Sequence, residues 1–266
     1  EEINDDGGID GREVLPVYYD PGSTPSTYKT LAEKLLVEDG VRVILGCYMS
    51  SERKAVLPVV ERLNGLLFYP TLYEGFEYSR NIIYTGAAPN QNSVQLAEHM
   101  MREYGSRVYM VGSDYIYPYE SNRIMSDLLL ERGGEKLGER YVNLSSDPSS
   151  FIDVVNDIKA KRPDFIFSTV VGQSTAAFYR AYADVGLDPA RMPIASLTTS
   201  ETELQEMESG IATGHITAST YFQSIDNDVN RRCVAKVKQR FGENTVTDMC
   251  REAAYFRTYL LASALS

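Results

Sequence analysis

The chain has 266 residues, 43% hydrophobic and 24% charged, enough apolar side chain for one large or two medium domains with real cores. A formal charge of -11 argues against a general affinity for nucleic acid or anionic membrane, and no apolar run reaches the length of a spanning helix. Cys47, Cys233 and Cys250 cannot complete a disulfide framework, no CxxC occurs, and His99 and His215 alone supply imidazole, so no metal or other cofactor is expected.

Glu1–Asn4 reads as the end of a helix stopped at Asp5-Asp6-Gly7-Gly8, and Ala253–Ser266 ends inside a helical pattern, so the first lobe is expected to be incomplete at both chain ends. Val14–Tyr19 has strand character. Tyr28–Glu38 is helical, with Tyr28, Leu31, Leu35 and Leu36 on one stripe. Val41–Leu45 is a short apolar strand, Ser51–Asn64 a helix ended by Gly65, and Leu66–Tyr69 and Ile82–Thr85 are strands. Gly86–Asn90, small and aperiodic, reads as a break.

The same alternation then resumes. Ser93–Tyr104 is a helix with Val94, Ala97, Met101 and Tyr104 inward, and Arg107–Gly112 is a strand. Tyr119–Arg132 is a helix, Tyr141–Leu144 a strand and Phe151–Lys161 a helix. Phe165–Val171 is a strand buried on both faces. Ser174–Val185 is a helix, and Ile194–Leu197 and Ile216–Tyr221 are strands. Arg232–Phe241 and Asp248–Leu265 are the last helices. Strands alternating with such helices imply parallel sheets, and two runs imply two lobes. The expected division is 1–87 plus 224–266 for lobe 1 and 88–223 for lobe 2, with hinge crossings that suit ligand-driven closure.

In open parallel sheets ligands sit at the carboxyl ends of strands. That rule selects Gly46–Ser50, Tyr69–Tyr73, Ser113–Tyr117, Thr169–Gly172 and Thr198–Ser200, which share hydroxyls and tyrosine rings and little charge. Ser50 stands where a strand turns into a helix and is equally suited to a helix N-cap. The N–H groups of that helix start would attract a carbonyl oxygen or an anion. Asp114 is the main acidic candidate but reads more readily as a cap or turn residue, Glu74 could act as an acid or base but reads better as a solvated loop carboxylate, and Arg53-Lys54 reads as solvent-facing or at a rim. No arginine is found at a strand end. Neither histidine has the company of a triad, and the GxSxG, Walker and GxGxxG fingerprints are missing, so no enzyme is expected.

Several ordered segments carry a family resemblance. They are Gly46-Cys47-Tyr48-Met49-Ser50 with Arg53–Val56, Tyr69-Pro70-Thr71 with Tyr73–Glu77, Ala88–Gln91, Gly112–Pro118 with Glu120-Ser121-Asn122, and Ser196–Glu201. From Asn4 to about Leu260 the chain resembles the short-chain amide and urea binding proteins, and most of all the amide sensors that regulate aliphatic amidase expression. The resemblance implies an α/β type I periplasmic-binding-protein fold whose two lobes close on a small neutral amide, as a Venus flytrap. It implies that Ser50 and Thr71 bond the amide head, that Tyr48 and Tyr69 line the first lobe, and that Tyr115, Tyr117, Val171 and Thr198 close from the second. Leu72 departs from the sensors, which have proline there, so ligand size need not follow theirs.

Two binding functions share such a site. As a ligand sensor, a cytoplasmic protein would hold an RNA-binding antiterminator partner silent until an amide arrives, and Tyr48-Met49-Ser50 and Leu197–Ser200 look closer to this kind. As the solute-binding component of an ABC uptake system, a periplasmic or extracytoplasmic protein would deliver an amide, urea or branched-chain amino acid to a permease. An amidase-like hydrolase is the third alternative and predicts turnover of acetamide.

Overall fold

A strand followed by a helix and a parallel strand must bury both sheet faces under helices, and the strand ends then gather at one edge. The computed structural model describes residues 1–266 and has this arrangement twice. In chain order the elements are α1 (Glu2–Asp5), α2 (Pro25–Val37), β1 (Val43–Leu45), α3 (Ser50–Arg62), β2 (Leu66–Tyr69) and β3 (Ile82–Tyr84). There follow α4 (Pro89–Glu103), β4 (Arg107–Ser113), α5 (Ile116–Glu131), β5 (Glu135–Val142), α6 (Ile152–Lys161), β6 (Phe165–Thr169) and α7 (Gln173–Asp184). The last are β7 (Ile194–Ser196), α8 (Glu201–Gln205), β8 (Ile216–Thr217), α9 (Asp228–Phe241) and α10 (Met249–Leu265).

The chain forms two compact units, 1–87 with 249–266, and 88–248. Unit 1 holds a parallel sheet in the order β1-β2-β3, with Val43 opposite Leu66 and Tyr69 opposite Tyr84. Its core is Ala32 and Leu36 of α2, Val56, Val59 and Val60 of α3, and Leu67 and Tyr69 of β2. Gly65 is needed where α3 meets α2, because a Cβ there would lie 2.6 Å from Leu36 Cδ2. Unit 2 holds a parallel sheet in the order β5-β4-β6-β7-β8. Every residue of the central β6 is buried, Ser168 and Thr169 along with the apolar Phe165–Phe167, as expected of a strand covered on both faces. Phe151, Val155, Ile158, Phe178 and Tyr182 pack over it from the helices.

Three expectations are corrected. Val14–Tyr19 is not a strand: no neighbour supplies a ladder, and only the backbone of Val14 is tied, to the side chain of Asn4. The second crossing does not fall at 223/224. Residues 224–248 stay with unit 2, because the Asn230 amide donates to the Gln223 and Ile225 carbonyls at 2.8 Å each and Tyr221 donates to Asn230 at 2.7 Å. Gln205 reaches the Asn244 carbonyl at 2.6 Å and Thr202 reaches Asp248 at 2.6 Å, closing the same attachment. Finally, α4 starts within the supposed break, with Pro89 in its first turn and the Gln91 side chain on the Ala88 N–H at 2.8 Å. Its buried apolar side chains are Leu96, Ala97 and Met100, beside the buried Asn92 and Ser93, while Met101 is only half-buried.

His215 is built into unit 2 as a neutral ring. Its Nδ1 accepts from the Ile194 N–H at 2.9 Å, and Tyr179 and Tyr182 meet it edge-on at 4.9 and 4.8 Å. Burial pushes its pKa down to about 4. Between that value and the ordinary one near 6.5 the unfolded chain binds a proton that the folded chain refuses, so stability falls as pH drops through this window. Urea unfolding at pH 7.5 and pH 5 should show a loss of about 1–2 kcal/mol in the native chain that the His215→Gln variant lacks. Equal pH dependence in both proteins would disprove the assignment.

Candidate functional site

At the end of β1 the chain turns sharply through Cys47, a buried residue held at φ 63°. The turn places the Tyr48 and Met49 N–H groups on one carboxylate oxygen of Glu52, at 2.8 and 2.9 Å. Glu52 thus closes the start of α3, with Met49 at the N-cap and Ser50 the first helical residue. The Ser50 hydroxyl is consequently not a cap. It donates to Glu74 at 2.6 Å and accepts from Arg53 Nη1 at 3.1 Å. Ser50 and Ser51 lie where helical N–H groups have no intrahelical acceptor.

Arg53 and Glu74 overturn their sequence readings. Arg53 does not face solvent: its side chain is fully buried one turn into α3, and Glu74 is 1% exposed rather than solvated. The guanidinium donates to Glu74 at 2.9 Å and, through Nε, to Glu77 at 2.7 Å. It also lies over the Tyr69 ring, 4.7 Å from the centroid. Lys54 adds a second cation from the wet side, 3.1 Å from Glu77, and Tyr84 donates to Glu77 at 2.6 Å. The buried cluster is therefore balanced, Arg53 and Lys54 against Glu74 and Glu77. Burial opposes the charge of Glu77, but hydrogen bonds from Arg53 and Tyr84 hold its carboxyl below the ordinary range.

Beside this cluster Tyr69 and Thr71, at the end of β2, both donate to the Tyr48 carbonyl, at 2.8 and 2.6 Å. Thr71 and Ser50 flank the Tyr69 hydroxyl. Unit 1 thus brings Ser50, Tyr69 and Thr71 together around the backbone of Tyr48, whose own ring is 58% exposed. The approach of β3 depends on Gly86, where a Cβ would lie 2.1 Å from the Thr71 carbonyl.

The direction of each hydrogen follows from its partner. A carbonyl only accepts, so Tyr69 and Thr71 donate to Tyr48. Arg53 only donates, and the Glu74 carboxylate accepts, so the Ser50 hydrogen points to Glu74. All three hydroxyls have their hydrogens committed inside the protein, leaving only lone pairs uncommitted, and all three residues are buried.

Unit 2 gathers a second set at its strand ends. Tyr115 is the N-cap of α5, and Tyr117 lies in its first turn rather than on a strand, with their rings 6.3 Å apart. The Val171 N–H donates to the buried Ser113 hydroxyl at 3.2 Å, tying the end of β6 to that of β4. The Thr198 hydroxyl donates to the Val170 carbonyl at 2.7 Å, so it too offers lone pairs. Asp114 is exposed and accepts from the Tyr119 hydroxyl. Sequence reasoning missed Arg53 and Glu74 because each was judged alone. Their signal was the pair of acidic residues in Glu74-Gly75-Phe76-Glu77 following a helix that carries Arg53-Lys54 one turn in.

The whole chain, residues 1–266, matches the family described as periplasmic binding protein domain. A Leu/Ile/Val-binding protein homolog 6 from Brucella melitensis is 25% identical over 241 residues, covering 88% of this chain and 60% of the relative. The chain thus spans 60% of the length of the curated relatives it matches. A solute binding protein of an ABC transporter from Rhodopseudomonas palustris BisB5, in complex with 3,4-dihydroxybenzoic acid, has a similar fold with a TM-score of 0.88. It is 23% identical, and the match covers 99% of this chain and 72% of that one. The leucine-, isoleucine-, valine-, threonine- and alanine-binding protein from Brucella ovis has a TM-score of 0.85 at 18% identity, over 99% of this chain and 69% of that one.

The buried cluster makes a quantitative prediction. Arg53→Met strands two carboxylates without their main cation and should destabilise the protein by about 3–5 kcal/mol in urea unfolding. Lys54→Met removes a charge that is 41% exposed and should cost less than about 1 kcal/mol. Similar losses for the two variants would contradict the buried ion pairing.

Proposed function

The chain belongs to the periplasmic binding protein family, and from that premise we propose that it is the solute-binding component of an ABC-type uptake system for a small uncharged amide or urea. The observation that carries the solute class is the mixed polarity of the unit 1 half-site. The first-turn N–H groups of Ser50 and Ser51 can meet a carbonyl oxygen. The lone pairs of Ser50, Tyr69 and Thr71 can meet N–H groups. A primary amide or urea carries both in one planar group. A carboxylate would face lone pairs with its own, and an ammonium would find its natural counter-charge, Glu74, already held by Arg53 and Ser50.

The transport role is supported by structural neighbours whose names place them among solute binding proteins of ABC transporters. A permease would then be the partner. A second reading, a ligand sensor paired with an RNA-binding antiterminator, is favoured by Tyr48-Met49-Ser50 and Leu197-Thr198-Thr199-Ser200. The sensor would bind the antiterminator and release it on adding acetamide, whereas the transport component would stimulate its permease's ATPase when loaded.

Acetamide, propionamide or urea should raise the unfolding temperature, and Ser50→Ala should weaken the tightest of them about fivefold or more by isothermal titration. Stabilisation by 4-hydroxybenzoate or leucine with no response to any amide would refute the solute class. Release of ammonia from acetamide would instead support an amidase.

A further inference from the structure

We propose that Glu74 is a positioning residue that sets the hydrogen-bond polarity of Ser50, so that the unit 1 half-site selects a solute bringing an N–H rather than one bringing only acceptors. The inference rests on the amide reading above and adds the device that enforces it. Glu74 need not touch the solute. One of its oxygens takes the Ser50 hydrogen at 2.6 Å, and the other takes Arg53 Nη2 at 2.9 Å. With Arg53 Nη1 on the Ser50 oxygen at 3.1 Å, the three side chains close a ring in which the guanidinium only donates, the carboxylate only accepts, and the charged Glu74 oxygen outcompetes the neutral Tyr69 oxygen beside Ser50 for its hydrogen. A serine hydroxyl rotates freely in water and can serve a donor or an acceptor. Here rotation would leave a buried carboxylate oxygen without its donor and turn the hydrogen away from the one charged acceptor beside it. The Ser50 oxygen is thereby held as an acceptor, and in the proposed complex its remaining lone pair receives the incoming N–H.

The ring also dictates what a conservative substitution does. In Glu74→Gln the amide oxygen must stay with Arg53, and Lys54, 3.6 Å from the same oxygen, holds it there, because both cations only donate. The amide nitrogen then faces Ser50 as a donor. The Ser50 hydrogen has to turn outward, and the hydroxyl changes from acceptor to donor without losing an atom. Glu77→Gln is the matched control. It removes one negative charge from the same buried cluster, where Glu77 binds Arg53 Nε, Lys54 and Tyr84, but leaves the Glu74–Ser50 bond in place.

The test is the ratio of dissociation constants for acetamide and N,N-dimethylacetamide, which has no N–H, measured by isothermal titration on the full chain. Wild type should favour acetamide. Glu74→Gln should move the ratio about tenfold towards the dimethyl compound, while Glu77→Gln should leave it within about twofold. In a Ser50→Ala background the Glu74→Gln effect on the ratio should vanish. An unchanged ratio in Glu74→Gln, an equal shift in Glu77→Gln, or a shift that survives Ser50→Ala overturns the proposal. If wild type binds neither compound, the amide reading fails. Neutron diffraction then decides the positioning role: the Ser50 hydroxyl deuterium must lie on Glu74 in wild type and turn away from Gln at that position in the variant. The same orientation in both also overturns it.

Discussion

A guanidinium completely withdrawn from water is the constraint from which unit 1 takes its local shape. Isolated burial of such a charge would cost several kcal/mol, so Arg53 can sit one turn into α3 only if carboxylates are brought to it from elsewhere in the chain. They come from a single short loop, as Glu74 and Glu77, on the far side of β2. The loop accepts left-handed backbone at Gly75 and Phe76 to present both acids inward. Tyr69, Tyr73 and Tyr84 wall the guanidinium with their rings. Helix, loop and strand are thereby locked to one point, and the Ser50 hydroxyl lies within that lock.

The parallel sheets explain why hydroxyls collect where they do. Strand ends in such a sheet open onto loops at one edge, and the loops must satisfy their own backbone groups before they can serve a solute. Glu52 does this for the β1–α3 turn, and the Tyr48 carbonyl is covered by Tyr69 and Thr71. In unit 2 the same economy appears at β4, β6 and β7, where Ser113 holds the Val171 N–H and Thr198 and Thr175 cover the Val170 carbonyl. Close packing behind these ends falls on two glycines without side chains to spare. A Cβ at Gly86 would strike the Thr71 carbonyl, and one at Gly112 would come within 2.7 Å of Thr169 Oγ1.

Periodicity made the helices and the buried strands legible, because an apolar stripe on α3 or the apolar start of β6, Phe165–Phe167, has one economical reading. Where the local pattern had to be completed by a distant partner it misled. Val14–Tyr19 has the residues of a strand, but a strand exists only through a neighbour's ladder, which local composition does not report. The return to unit 1 was placed too early because Gln223–Asp226 looks like a linker. Nothing local to that stretch says that Asn230 and Thr247 will anchor on Tyr221 and Gln223. The hydroxyl-rich strand ends could be listed from position alone. Their polarity could not, since it depends on which of Arg53, Glu74 and the Tyr48 carbonyl each hydroxyl meets.

Under the proposed function, that polarity would separate solutes more sharply than shape does. Structural neighbours in this fold are named for benzoates and for branched-chain amino acids, so the scaffold itself does not dictate what is bound. Two sites of similar size can be lined by the same serine, threonine and tyrosine and still prefer opposite partners, because a hydroxyl with its hydrogen committed is an acceptor and one with its hydrogen open is a donor. Here the hydrogens of Ser50, Tyr69 and Thr71 are committed by a buried carboxylate and a backbone carbonyl. On the proposed amide reading, a solute that offers only oxygen would have to break those bonds or face bare lone pairs, whereas an N–H would complete a set that is already oriented. Selection against the wrong solute would then be written into groups that need not contact the right one.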